Sequence, residues 1–273
     1  MLSILILTKN EEQDLPGCLQ SVAWCDDVHV FDSFSEDQTI AVAEHYHAKI
    51  SQRRFDNYAA QRNAALTLPF LHEWILILDA DERITKELYQ EFCHVLPQVP
   101  QEVNGFRIRR RDFLYDTWLK HAQLSPFYIR LIRKGKAQYH RAVNEVVEVN
   151  GMVGQLEGYF DHFPFSKGHS HWLAKHNIYS TMEAQRWVEE HQGNFQFSVR
   201  RALFSKDFHE RRYHQKGLFY KLPGRPLIKW LYMMFVRRAF LDGKAGITYA
   251  FLQSIYEYFI VLKTNELLRN IKK

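Results

Sequence analysis

Trp74-Ile75-Leu76-Ile77-Leu78-Asp79-Ala80-Asp81-Glu82 is the stretch whose reading decides the fold. Five large apolar residues in a row predict a strand that sits in a core. A carboxylate is costly in a low-dielectric interior, so the strand has to stop at Asp79, with its acids exposed or liganded. Upstream, Leu2–Leu7 reads as another buried strand, Val28–Phe31 as a short one and Ala48–Ile50 as a third. Helical patterns fall between them, over residues 12–22, from Asp37 through Glu44, and over 59–67. Strands alternating with helices predict βαβ units on a mostly parallel sheet with right-handed crossovers. Ligands of such sheets bind at the carboxyl ends of the strands. That rule singles out Thr8–Glu12, Asp32–Asp37 and Asp79–Glu82.

Beyond Gly105 the texture changes. Phe106–Phe113 and Phe127–Ile132 are strand-like, and residues 142–149 are a candidate for another strand. From residue 170 the pattern is helical to the end, broken at Pro223-Gly224-Arg225-Pro226. The 273 residues suit one large α/β unit with a smaller appendage, or two domains. With 46% apolar and 25% charged residues the chain can bury a full core, which excludes global disorder. Aromatics reach 15%, so either the core is unusually aromatic or some rings face a ligand or partner.

Cys18, Cys25 and Cys93 form no CxxC pair and have no His at zinc-site spacing, so no disulfide framework is expected and a reducing compartment fits. The first residues lack the basic lead and small-residue cleavage site of a signal peptide. No uncharged apolar run reaches 18 residues, so no ordinary membrane span is expected. Residues 201–244 hold 11 basic and three acidic residues, a net +8, which leaves −3 for the rest of a chain whose total is +5. An anionic membrane, nucleic acid or a phosphorylated substrate would each suit that basic stretch.

Glycines narrow the chemistry. After Gly17 none occurs until Gly105. A dinucleotide fingerprint and a P-loop both need glycines after a strand, so nicotinamide dehydrogenase and P-loop ATPase are poor readings. A nucleotide bound here needs another counter-charge for its phosphates, and a cation held by carboxylates supplies one. Asp79 and Asp81 are two apart and face one side in extended backbone, so they could share a hard divalent cation. The plainer alternative is a solvated turn before a helix. Asp37 can cap the helix that follows it, whereas Asp32 is placed to accept hydrogen bonds from a base imide or a ribose hydroxyl.

Taken together, Leu7-Thr8-Lys9-Asn10-Glu11-Glu12, Asp32-Ser33-Phe34-Ser35-Glu36-Asp37-Gln38-Thr39, Gln61-Arg62-Asn63 and Asp79-Ala80-Asp81-Glu82 resemble the inverting glycosyltransferases of family 2, with the GT-A fold. Arg130-Leu131, Val143-Asn144-Glu145, the Lys175-His176-Asn177-Ile178-Tyr179-Ser180 stretch, and Phe240-Leu241-Asp242-Gly243 with Gly246 resemble the lipopolysaccharide inner-core β-1,4-glucosyltransferase group. The resemblance implies a central mostly parallel sheet in a GT-A domain over 1–165. Residues 1–100 would bind the nucleotide sugar and 101–165 would form the acceptor side. A helical, basic and aromatic region over 166–273 would follow. It implies that Thr8, Asn10 and Glu11 line the nucleotide pocket, Asp32 holds the base and Arg62 lies near base or diphosphate, with Arg130 a further donor-binding candidate whose strand face, like that of Arg133, suits either an anionic acceptor or solvent. Asp79 would contact ribose or sugar, and Asp81 would ligate Mg2+ or Mn2+. Glu145 matches the acid of a Val-His-Glu motif whose middle position is Asn144 here, and it is the expected general base, with Asp161 in reserve.

The implied reaction is transfer of a hexose, glucose from UDP-glucose, to an inner-core heptose. Single displacement requires no enzymic nucleophile. Another polysaccharide or glycan acceptor is the alternative within this class. A nucleic-acid binder is the alternative outside it, and three acidic strand ends argue against that by repelling a phosphate backbone. Arg107, Arg109 and Arg111 alternate onto one strand face, which suits either an anionic acceptor or solvent. His140, His162, His169 and His171 lack metal-site spacing and read as structural or surface residues. Residues 225–240 mix Arg225, Lys229, Arg237 and Arg238 with Trp230, Tyr232, Phe235 and Phe240. That segment either lies on an anionic membrane or packs back on the body. The expected partners are a nucleotide sugar and a lipid-linked saccharide acceptor. The expected place is the cytoplasm, at the inner face of the inner membrane.

Overall fold

The computed structural model describes residues 2–140, 146–191, 198–205 and 208–271. In chain order the first elements are β1 (Leu2–Thr8), α1 (Leu15–Ser21), β2 (Val28–Asp32), α2 (Thr39–His45), β3 (Lys49–Gln52), α3 (Tyr58–Ala65), β4 (Trp74–Asp79), β5 (Glu82–Ile84) and α4 (Lys86–Val95). Then come β6 (Val103–Leu114), β7 (Thr117–Trp118), β8 (Phe127–Arg133), β9 (Ala137–His140), β10 (Val146–Val149) and β11 (Met152–His162). The helices α5 (Gly168–His191), α6 (Val199–Phe204), α7 (Phe208–Lys221), α8 (Arg225–Leu231) and α9 (Gly243–Ile271) complete the chain. These elements form two compact units. The first is Met1–Phe113 with Ser125–Ser166, and the second is Leu114–Leu124 with Lys167–Lys273. The excursion Leu114–Leu124, inside the stretch expected to serve the acceptor side, therefore belongs to the helical unit.

In the first unit the main sheet runs β3-β2-β1-β4-β8-β6-β11-β5. Neighbours β3/β2, β2/β1, β1/β4 and β6/β11 are parallel, while β4/β8, β8/β6 and β11/β5 are antiparallel. Strand β4 is buried through Leu78 because both faces are covered. Its Leu76 and Leu78 join Ile4, Ile6, Leu15, Leu88 and Phe160 in one core, and its Ile75 and Ile77 join Leu5, Ala59, Ala65 and Phe70 in the other. The period of two thus sends alternate side chains to α1 and α4 on one face and to α3 on the other. Helix α4 begins at Thr85, whose side chain accepts the Leu88 N–H.

Four strands, β5, β7, β9 and β11, were not legible as such. Residues 152–162 mix Gly154, Gly158 and exposed polar positions with buried Leu156 and Phe160, so no clean period shows. Strand β5 is three residues long, and β9 is half polar. Their placement comes from pairing partners far along the chain. His162 stands opposite both Glu82 and Asp112. Asn63 clamps β9 by donating to the Tyr139 carbonyl and accepting the Tyr139 N–H, both at 2.8 Å.

In the second unit α9 packs along α5 and against α8. Lys263 on α9 donates to the Asn177 and Ser180 side chains on α5, both at 2.7 Å. Gly246 is required by close approach, since a Cβ there would lie 2.0 Å from the Ala239 carbonyl oxygen. The stretch Ala239–Ile271 is long and apolar enough, by length and composition, to cross a membrane, although a third of its most apolar window is buried in the protein.

Candidate active site

The register of the parallel strands sets the site. Thr8 lies opposite Asp32, and Leu7 lies opposite Asp79, so three strands deliver their last residues to one edge. Past that edge the β1 and β2 loops are laced together. Asn10 N–H donates to Ser35 Oγ (2.8 Å) and Asn10 Oδ1 accepts the Glu36 N–H (2.9 Å). Glu11 N–H donates to Thr39 Oγ1 (2.7 Å), and Glu12 Oε2 accepts the Gln38 N–H (2.9 Å). Asn10 and Phe34 take left-handed backbone with φ of 56° and 60°, a conformation an asparagine tolerates better than most residues.

Asp32 is fully buried beneath this lacing. Its Oδ1 accepts Thr8 Oγ1 (2.9 Å) and Ser35 Oγ (2.5 Å), and its Oδ2 accepts the Ser35 N–H (2.8 Å) and Gln52 Nε2 (3.1 Å). Burial alone would raise its pKa, but these donors lower it. The four bonds occupy about the full acceptor capacity of a carboxylate.

The end of β4 carries an ion cluster. Asp79 accepts from Arg62 Nη2 at 3.0 Å and from Arg130 Nη2 at 2.8 Å. Arg130 Nη2 also reaches Glu82 Oε1 at 2.6 Å, and Glu82 Oε2 accepts the Asp79 N–H at 2.9 Å. Arg130 is buried and its guanidinium lies 5.6 Å from each of the Tyr128 and Phe160 rings. Burial works against the ionised Asp79, yet the Arg130 and Arg62 guanidiniums hold its carboxyl well below the usual carboxylate range. Glu82 is deeper, and burial with the Asp79 charge pushes it up to about 7 against the pull of Arg130. Gly17 lets the Arg83 guanidinium lie across α1, where a Cβ would come within 2.5 Å of it. Arg83 there donates to the Ala80 carbonyl at 2.7 Å and fixes the turn between the two aspartates.

Asp81 extends beyond the strand. Its Oδ2 lies 3.2 Å from His162 Nε2, and the other ring nitrogen of His162 meets Asp112. Burial opposes charge on this imidazole, but the two carboxylates raise its pKa to about 9. Asp81 offers a carboxylate oxygen to a hard cation, whereas the His162 imidazolium between two carboxylates has no lone pair and would ligate only after losing a proton. Among the described residues no group of three or more His, Cys, Asp or Glu is arranged to hold a metal, so further ligands would have to be water or substrate oxygens. Asp81 fits a divalent cation as it stands, and His162 fits only in its neutral form. His162, read from the sequence as structural or surface for want of metal-site spacing, lies between Asp81 and Asp112. Its only signal was position, directly after an acid at the end of a stretch of strand length.

The general-base candidates fall differently. Glu145, with Val143 and Asn144, lies outside the described residues. Asp161 accepts from Arg111 Nε at 2.6 Å, and burial raises its pKa although Arg111 opposes that. Arg109 and Arg111 share the Tyr159 ring, while Arg110 stands over Tyr128, as strand alternation requires.

Acidic and amide side chains thus gather at the carboxyl edge of the parallel strands of a GT-A fold. The chain belongs to the glycosyl transferase family 2, whose pattern matches residues 3–208. It is 28% identical over 272 residues to the lipopolysaccharide core biosynthesis glycosyltransferase LpsC of Rhizobium meliloti, covering 96% of this chain and 91% of that one. It is also 28% identical over 233 residues to an uncharacterized glycosyltransferase of Rickettsia felis, covering 79% and 81%. Among solved structures, the mannosyltransferase PcManGT of Pyrobaculum calidifontis, in complex with GDP-Man and Mn2+, has TM-score 0.56 at 13% identity, covering 96% of this chain and 86% of that one.

Proposed function

We propose that this glycosyltransferase moves glucose from UDP-glucose to a heptose of the lipopolysaccharide inner core, with inversion, in the cytoplasm. The observation that carries the reading is the pairing of Asp81 with His162 one step beyond the Arg-clamped Asp79. The name of the Rhizobium meliloti relative supports the acceptor class. The GDP-Man and Mn2+ of the PcManGT complex are in keeping with a nucleotide-sugar donor and a divalent cation.

In this reading Thr8, Asn10 and Glu11 wall the nucleotide pocket. Asp32 sets its floor, and for it to accept a base imide one of its four internal donors must yield. Asp79 faces the ribose or sugar. Arg62 and Arg130 keep it ionised and bring positive charge toward the diphosphate. Asp81 would hold Mg2+ or Mn2+, joined by His162 once its Nε2 proton is released to solvent, and the cation would supply charge neutralisation to the departing diphosphate. The acceptor oxygen forms its bond to the anomeric carbon as the bond from that carbon to the diphosphate oxygen breaks. The acceptor proton passes to a carboxylate, for which Glu145 is our assignment and Asp161 the reserve.

The test is a donor screen with a truncated inner-core acceptor, with and without Mg2+ or Mn2+. UDP-glucose should give product and UDP, while GDP-mannose and UDP-galactose should not. Equal turnover with all three donors, or product formed only with an unrelated glycan acceptor, would overturn the assignment. Glu145→Gln should abolish transfer while donor binding persists.

A further inference from the structure

The second unit carries an apolar surface that the transferase reading does not use. On α9, Ile247, Phe251, Ile255, Tyr258 and Leu262 are all exposed. Their spacing of three and four residues places them in one stripe along the helix. Before α9 the chain makes a π turn over Tyr232–Val236 and a 3-10 turn over Ala239–Asp242, joined through Arg238 in left-handed backbone with φ of 59°. This corner presents Phe235 (64% exposed), Val236 (67%), Phe240 and Leu241 to solvent.

From Arg225 to Asn265 the charges that reach the surface have one sign, and the first exposed acid, Glu266, comes a turn beyond Leu262 at the far end of the stripe. Between Arg225 and Asn265 the only acids are Asp242 and Glu257, and both are buried. Asp242 accepts the His121 and Ala122 N–H groups and pairs with the His121 imidazole. Glu257 is held by Arg225 at 2.8 Å. The basic residues Arg238 and Lys244 are exposed, and Lys229 and Arg237 are half-buried. The apolar surface is therefore rimmed by cations with no surface acid among these residues.

That pattern selects the partner. A second copy docking face to face would set the same cations against themselves. A protein span would drag the Arg225–Glu257 pair and the α5-facing side of α9 into hydrocarbon. An anionic bilayer meets both features, taking the rings and aliphatic chains into the acyl boundary and the cations among its headgroups. We propose that the corner around Phe235–Leu241 and the exposed stripe of α9 seat the protein in the plane of an anionic phospholipid surface. This holds whichever sugar is transferred.

The test is flotation of the full chain with vesicles of phosphatidylcholine alone and of phosphatidylcholine mixed with phosphatidylglycerol. Binding should require the anionic lipid and weaken with added salt. Arg237→Gln with Arg238→Gln should lower partitioning roughly 25-fold, at about fivefold for each charge removed. Phe235→Ser with Val236→Ser should lower it as well, with far-UV circular dichroism and UDP binding unchanged. Those two readouts separate a failed surface from a failed fold or a failed transferase reading. No flotation, equal flotation on neutral vesicles, or variants that change only a dimer seen by light scattering would overturn the proposal.

Discussion

Replacing Arg130 by methionine isolates the electrostatics of the site. Arg130 is 7% exposed and shares one nitrogen between Asp79 and the wholly buried Glu82. Asp79 keeps Arg62 and its contact with solvent, so its loss is small. Glu82 keeps the Asp79 N–H but loses its charge partner, and breaking a buried pair from one side costs about 3–5 kcal/mol. Methionine fills the space beside Tyr128 and Phe160, which limits the cavity contribution. Adding Glu82→Gln removes the stranded charge while an amide oxygen still accepts the Asp79 N–H. The double variant should then sit within about 2 kcal/mol of the parent. Urea unfolding at pH 9, above the value of about 7 to which Glu82 is pushed and where the parent carries the charge, followed by circular dichroism, reads both. A single variant within about 1 kcal/mol of the parent, or a double variant no better than the single, would refute the reasoning.

At the opposite end of the sheet, buried Asp27 accepts from Ser3, Lys49 and the Leu71 N–H. Burial opposes its charge, yet these donors lower its pKa, so its stabilisation is present above the unfolded pKa of about 4 and is lost as pH falls below it. Asp27→Asn should flatten the acid limb of a stability–pH curve, and an unchanged limb would count against the cluster. Gly246→Ala forces a methyl onto the Ala239 carbonyl and should cost about 1–3 kcal/mol in thermal unfolding, whereas a neutral change would mean the turn adapts freely. Asp32→Asn puts an amide where four donors converge and should weaken UDP binding as well as stability by about 1–3 kcal/mol, with calorimetry and urea melts as the two readouts. Loss of neither would remove Asp32 from the pocket floor.

The strand ends were legible because an apolar run closed by a carboxylate has one sensible placement. Thr8, Asp32 and Asp79 are the observed last residues of β1, β2 and β4, each one beyond the apolar stretch read from the sequence. Partners supplied by distant chain were not legible. Arg130 reaches Asp79 across 51 positions, and His162 meets Asp81 only through the β11–β5 register. Local pattern carries no information about such pairings. Of the four donors around Asp32 the two from Ser35 are local, whereas Thr8 and Gln52 stand beside it only through the β1–β2 and β2–β3 pairings. The helical ending and its break at Pro223–Pro226 followed from composition, whereas the burial of both acids in residues 225–265 emerged only from packing.

The proposed transfer requires Asp81 to join a nucleotide diphosphate through a divalent cation. Isothermal titration of UDP with and without Mn2+, in the parent protein and in Asp81→Asn, measures this directly. The parent should bind UDP at least tenfold more tightly with Mn2+, about 1.4 kcal/mol, and Asp81→Asn should lose that gain while folding normally. UDP affinity indifferent to Mn2+, or an Asp81→Asn protein that keeps the full gain, would contradict it.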